Sequence, residues 1–165
     1  MAQEIERRFL IKNDNWRKFI TNKIFIDQGY LSKNLDDWIL RIRFNGEDFK
    51  IALKKHINGF TNFEFEYSIP QSDGEIIMSN LSNIIKKDRF FIKIEKKSWI
   101  IDCFREKNYP LEIAEIELSN EEEDLFVPSF ISQEITGLTH YSNFSLANNP
   151  FSEWEEDYLT TFQSN

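Results

Sequence analysis

Three glutamate pairs in this chain share one spacing: Glu4-Ile5-Glu6, Glu64-Phe65-Glu66 and Glu115-Ile116-Glu117. Basic residues repeat it at Arg41-Ile42-Arg43 and Lys87-Asp88-Arg89. In a β-strand, residues i and i+2 point to the same face. Each pair therefore sets two like charges side by side, usually with a large apolar residue facing the other way. Like charges that close cost energy unless something neutralises them. Taken singly, a Glu-x-Glu strand is usually a solvated sheet face, and Arg41 with Arg43 reads as cross-strand salt bridging. Five such pairs in one small domain are hard to explain as independent accidents. Brought together on one concave surface, matched acid and base pairs are neutralised by metal ions and a polyanion.

The rest of the chain supplies the strands. Residues 3–11 read as the first, followed by a short helix capped by Asn13 or Asp14 through Trp16, Phe19 and Ile20. Strands are expected near 24–32, 38–45 and 48–56, the last two joined by a two-residue hairpin at Asn45-Gly46. Residues 60–69 alternate sharply, and Pro70 ends them. Ile76, Ile77, Leu81, Ile84 and Ile85 lie at helical spacing and predict a helix over 74–87. Strands follow near 88–96, 98–105 and 111–118. Ser119 with Glu122 reads as a capping box for a helix over 120–126, stopped by Pro128. Residues 142–147 read as a short helix. The domain is expected to span 1–147, with 148–165 an acidic, aromatic C-terminal tail. About eight strands with few helices predict a mainly β (α+β) fold: an eight-stranded antiparallel β-barrel with a few flanking helices. Its charged residues line the interior as a hydrophilic tunnel, and its apolar residues face outward. That apolar face calls for a cover, which either flanking helices or a second copy in a homodimer would supply.

Composition narrows the function. With 165 residues, 41% hydrophobic and sixteen Phe, the chain is long and apolar enough for one domain with a core. A net charge of −8 argues against general nucleic-acid binding, so any polyanion site is local. Cys103 is alone, so no internal disulfide forms, which fits a cytoplasmic location. No run reaches the ~18 apolar residues of a membrane span, and no membrane partner is expected. His56 and His140 have no ligand spacing for zinc. There is no phosphate-binding Gly-rich loop, no Gly-x-Ser-x-Gly and no Cys-His pairing.

The opening Glu4-Ile5-Glu6-Arg7-Arg8-Phe9-Leu10 resembles the Glu-x-Glu-x-Lys signature of the CYTH domain, or triphosphate tunnel metalloenzyme, family. The resemblance continues through Gln28-Gly29-Tyr30-Leu31-Ser32, Leu40-Arg41-Ile42-Arg43, Ile51-Ala52-Leu53-Lys54, Glu64-Phe65-Glu66-Tyr67 and Lys87-Asp88-Arg89-Phe90. It closes with Trp99-Ile100-Ile101-Asp102, Ala114-Glu115-Ile116-Glu117-Leu118, Glu134-Ile135-Thr136 and Tyr141-Ser142-Asn143. These blocks keep the family's order over residues 3–147 and resemble its compact bacterial branch.

The resemblance implies an eight-stranded barrel that binds triphosphates with a divalent metal and hydrolyses them, inorganic triphosphate first among them. Arg8, Arg41, Arg43, Lys54, Lys87 and Arg89 would then grip phosphate oxygens. Glu4, Glu6, Glu64, Glu66, Glu115 and Glu117 would hold one or two Mg²⁺ or Mn²⁺ ions. Arg8 and Tyr30 are the candidate catalytic residues, with Asp102 a second contributor. Two departures matter. Arg8 replaces the signature lysine and cannot accept a proton. Asn62 stands where many relatives carry arginine. Both keep other readings open: a weakened nucleotide or polyphosphate binding module, or a class IV-type adenylate cyclase.

Overall fold

The computed structural model describes residues 3–32 and 38–155. Nine strands run β1 (Gln3–Ile11), β2 (Ile20–Tyr30), β3 (Ile39–Phe44), β4 (Phe49–Asn58), β5 (Thr61–Ile69), β6 (Ile84–Ile94), β7 (Lys97–Phe104), β8 (Glu112–Glu117) and β9 (Ile131–Glu134). Two α-helices, α1 (Gln71–Ser79) and α2 (Asn143–Asn148), accompany them. The sheet order is β5-β4-β3-β2-β6-β7-β8-β1, and pairing of β5 with β1 closes it into an eight-stranded antiparallel barrel. One edge of β1 is shared. Gln3, Glu4 and Ile5 pair with β5, while Phe9 and Ile11 pair with the ninth strand, β9.

Residues directly opposite each other on antiparallel strands share a face. Following the register round the barrel therefore tells which residues point inward. Arg8 faces Glu115, Arg89 faces Asp102, Tyr30 faces Arg41, Lys54 faces Glu64, and Glu4 faces Asn62. All the like-charge pairs lie on this one inward face.

Their alternates face outward and build the main core. Phe9, Ile92, Trp99, Ile101, Ala114 and Ile116 pack with Trp16, Leu118, Phe130 and Ile131. Trp16 is carried by a 3₁₀ helix (Asp14–Phe19) whose Asn13 side chain accepts the Asn15 N–H. The chain thus covers this side of its own barrel. Burial of each large side chain here contributes about 1.5–3 kcal/mol. The outer face of β3–β5 is different: Trp38, Phe63 and Tyr67 stay exposed.

The interior is layered. Beyond the charged residues, the next inward positions on four strands are Leu10, Ile85, Phe104 and Ile113, all buried. They join Leu111, Ile135, Tyr141, Leu146 and Trp154 in a second apolar cluster. This cluster forms a floor, so the expected hydrophilic lining occupies only part of the barrel's length. Trp154 closes the cluster against the Tyr141 ring at 5.2 Å. Residues 156–165, the remainder of the expected tail, lie outside the described residues.

Three local expectations change. The helix predicted over 74–87 is α1, which ends at Ser79; Ile84 and Ile85 open β6. Asn80, Ser82 and Asn83 follow the helix, and Asn80 donates its side chain to the Ile76 carbonyl, a bond that competes with helix continuation. No helix forms over 120–126: Glu123 accepts the Ser119 N–H and Asn120 accepts the Glu122 N–H, a side-chain-supported turn. The hairpin after β3 has four loop residues, because Phe44 pairs with Phe49. Asn45 accepts the N–H groups of Glu47 and Asp48, and Gly46 takes φ +94°, where a side chain is strained. Strand β9 was not foreseen. No helix among the described residues is long and apolar enough to cross a membrane.

Candidate active site

A cavity of about 1090 Å³ opens above the apolar floor. Its wall takes Glu4, Glu6 and Arg8 from β1, Tyr30 from β2, Arg41 and Arg43 from β3, and Lys54 from β4. Glu64 and Asn62 come from β5, Arg89 from β6, and Glu115 and Glu117 from β8. Three of the residues picked from sequence do not line the cavity. Asp102 and Lys87 are wholly buried within the wall, and Glu66 pairs with Arg41, Arg43 and Lys50 at 3.1, 3.7 and 3.0 Å.

Lys54 sits among three carboxylates. Its Nζ lies 2.5 Å from Glu4, 3.2 Å from Glu6 and 3.5 Å from Glu64. One ammonium cannot neutralise three acids, and the acids divide accordingly. Burial, with repulsion from Glu6, pushes Glu4 up to about 7. Burial works the same way on Glu6 and Glu64. At Glu6 the Lys54 and Arg8 charges outweigh it and leave the group below its ordinary value. At Glu64 the Arg41 and Lys54 charges hold it near 2.

On the opposite wall Asp102 is the hub. Arg89 grips it with two bonds of 2.8 Å, and Lys87 donates to it at 2.5 Å. Lys87 also donates to Asn143 of α2 at 3.1 Å. Burial draws Lys87 down to about 8, against the pull of Asp102. Arg89 and Arg8 share Glu115, at 3.2 and 3.1 Å, and Arg8 donates to the Tyr141 carbonyl at 3.2 Å. Burial disfavours the Arg8 charge, but Glu115, Glu6 and Asp102 raise its pKa above the usual value. Arg8 is a fixed cation here.

Arg41 and Arg43 are less well matched. The Nε of each is buried without a hydrogen-bond partner. Arg43 has Glu66 at 3.7 Å, and burial beside Arg41 and Arg89 pulls its pKa down to about 10. Arg41 still donates to Glu64 at 2.8 Å and Glu66 at 3.1 Å, so Arg43 is the group short of negative charge, inside a protein whose net charge is −8.

No protein-family model matches the chain. It is 31% identical over 158 residues to the inorganic triphosphatase of Acetivibrio thermocellus, covering 94% of this chain and 100% of that protein. The chain belongs to that family, the triphosphate tunnel metalloenzymes. This tunnel metalloenzyme is also 28% identical over 148 residues to the inorganic triphosphatase of Nitrosomonas europaea, covering 87% of this chain and 96% of that one. Its fold matches the crystal structure of an inorganic triphosphatase with a TM-score of 0.65 and 26% identity, over 89% of this chain and 95% of that chain.

The wall of this tunnel metalloenzyme suits a hard divalent cation. Three carboxylates share one ammonium, one of them is driven toward neutrality, and all donors are oxygen. Among the described residues no set of three acidic, histidine or cysteine side chains forms a finished metal cage. Lys54 occupies the centre of the group instead.

The sequence reading gave no role to Gln28, which is buried inside the barrel, or to Asn143, which accepts from Lys87 at the start of α2. Both lie in the blocks that carry the resemblance, and Gln28 stands two residues before Tyr30 on the same strand face. The Asn143 contact depends on how α2 docks.

Proposed function

We propose that this cavity hydrolyses inorganic triphosphate to pyrophosphate and orthophosphate, using Mg²⁺ or Mn²⁺. The observation that carries the reading is the separation of charge within one cavity. Arg43, short of negative charge, shares the cavity with Glu4, which burial and Glu6 drive toward neutrality. A triphosphate with a divalent ion supplies both deficits. The relatives named above are inorganic triphosphatases, which supports the same substrate for this chain.

Phosphoryl transfer depends mainly on positioning and charge stabilisation. Arg41 and Arg43 bind phosphate oxygens from β3, and Arg89 and Arg8 add positive charge from the facing wall. Lys54 turns from its glutamates to the phosphate chain. Glu4, Glu6 and Glu64 would hold the metal, with Glu115 and Glu117 across the cavity. When bound, the ion would supply positive charge against the charge that builds on the phosphate. Water attacks the terminal phosphorus, the bridging P–O bond breaks, and pyrophosphate leaves. Neither Arg8 nor Tyr30 takes the water's proton, since Arg8 stays charged and burial pushes the Tyr30 phenol up to about 12. A wall carboxylate accepts it. Lys87 and Glu66 act from behind, by holding Asp102 and the two β3 arginines in place.

The test is phosphate release from inorganic triphosphate with Mg²⁺ or Mn²⁺, for wild type and Glu6→Gln, with ATP for comparison. Wild type should turn over triphosphate in preference to ATP, stop when EDTA is added, and lose about 10²-fold or more in Glu6→Gln. Tight triphosphate binding with no turnover would reduce the protein to a binding module. Cyclic AMP formed from ATP would make it a cyclase.

A further inference from the structure

Gln28 is the one uncharged polar side chain on the inner face of β2 that has no exposure, and it does not reach the cavity wall. It points inward between its register partners Arg43 and Ile85. Its Nε2 donates to the Tyr30 hydroxyl at 2.7 Å. Its Oε1 is buried without a partner. A buried acceptor left unsatisfied is costly, and such a group in a native fold calls for an explanation. The donor half of the amide supplies one.

A tyrosine hydroxyl has one proton to donate. When its oxygen accepts the Gln28 N–H, that proton must point elsewhere. The Phe144 ring packs edge-on against Tyr30 at 5.3 Å and offers no acceptor there. The charges that act on the phenol are Arg41, Arg43 and Lys54, all on the cavity wall. Tyr30 lines that cavity, so its O–H is within reach of a ligand there.

We propose that Gln28 is a positioning residue: by donating to Tyr30 it turns the phenol's proton into the cavity, where it is given to a phosphoryl oxygen of bound triphosphate. This rests on the triphosphatase reading. Burial keeps the phenol protonated at neutral pH, so the group acts as a donor throughout the reaction. The opposite amide orientation would accept the Tyr30 proton and cancel the donor. The lone Oε1 is what the working orientation leaves behind.

The test is a double-mutant cycle on triphosphate hydrolysis with Mg²⁺, using Gln28→Met, Tyr30→Phe and the pair, with thermal melts of each. Tyr30→Phe should lower kcat about 10²-fold, as loss of one transition-state donor does. Gln28→Met should lower kcat about tenfold, with KM little changed. The pair should be no slower than Tyr30→Phe alone, because both changes remove one effect. Losses that multiply in the pair would overturn the proposal, as would a Tyr30→Phe variant with wild-type kcat, which needs no change at the buried Gln28. An inactive wild type would remove the triphosphatase reading itself and this proposal with it, and the wild-type arm tells the two failures apart.

Discussion

Replacing Asp102 by Asn leaves the volume of the hub unchanged and removes its charge. Asp102 is fully buried and takes three hydrogen bonds from two cations. After the change Arg89 keeps Glu115 at 3.2 Å, but Lys87 keeps only the neutral Asn143. Breaking a buried ion pair from one side costs about 3–5 kcal/mol, since a charge is left uncompensated. At ~2–4 °C per kcal/mol for a chain of this size, the Tm of Asp102→Asn should fall by about 6–20 °C. Urea unfolding followed by the fluorescence of buried Trp16 and Trp99 measures the same loss as a lower midpoint. Adding Lys87→Met removes the stranded ammonium and should restore at least about 1 kcal/mol. The neighbouring cations hold the Asp102 carboxyl far below its ordinary value. Its contribution is therefore complete above the ordinary carboxylate pKa and is lost as pH falls toward the depressed one. The gap between wild type and variant should close in stronger acid. A loss below about 1 kcal/mol, or a double variant less stable than Asp102→Asn, would refute the reasoning.

Two further outcomes are expected. Glu4 is raised from 4.5 to about 7, so the native state holds more protons than the unfolded chain within that window and loses stability as pH rises through it. Glu4→Gln should therefore stabilise the protein by up to about 3 kcal/mol at pH 8 and little at pH 5, while phosphate release falls; equal shifts in melts at both pH values would rule this out. A Cβ on Gly74 would lie 2.2 Å from the Phe49 ring, so Gly74→Ala should push α1 off β4 and cost about 1–3 kcal/mol in chemical unfolding, with hydrolysis in the distant cavity retained.

The barrel was legible where strands alternate. Glu64 and Glu66 against Phe63 and Phe65, or Arg41 and Arg43 around Ile42, announce a charged face and an apolar one, because period 2 is a local property of extended backbone. Reading failed where an apolar spacing had two meanings. Ile84 and Ile85 continue the helical spacing of Ile76 and Ile77, yet they are the first residues of β6. Strand β9 is only four residues long, and it exists because half of one edge of β1 is left open by β5. That vacancy cannot be read from residues 131–134 themselves.

For the site, the sequence by itself determined which charges share a strand face, and hence that acids and bases must meet inside the fold. Only the tertiary structure decided how they meet. Closure of β5 onto β1 sets Lys54 among Glu4, Glu6 and Glu64, residues separated by up to sixty positions. The apolar floor turns part of the interior into core. Asp102 withdraws Lys87 from the cavity, while Arg43 lines it with its nearest carboxylate, Glu66, 3.7 Å away. The i, i+2 rule acts over two residues and is written in the chain. Which cation finds a carboxylate, and which is left for a ligand, depends on strand register and on the depth of each group below the surface. Both are settled by long-range packing.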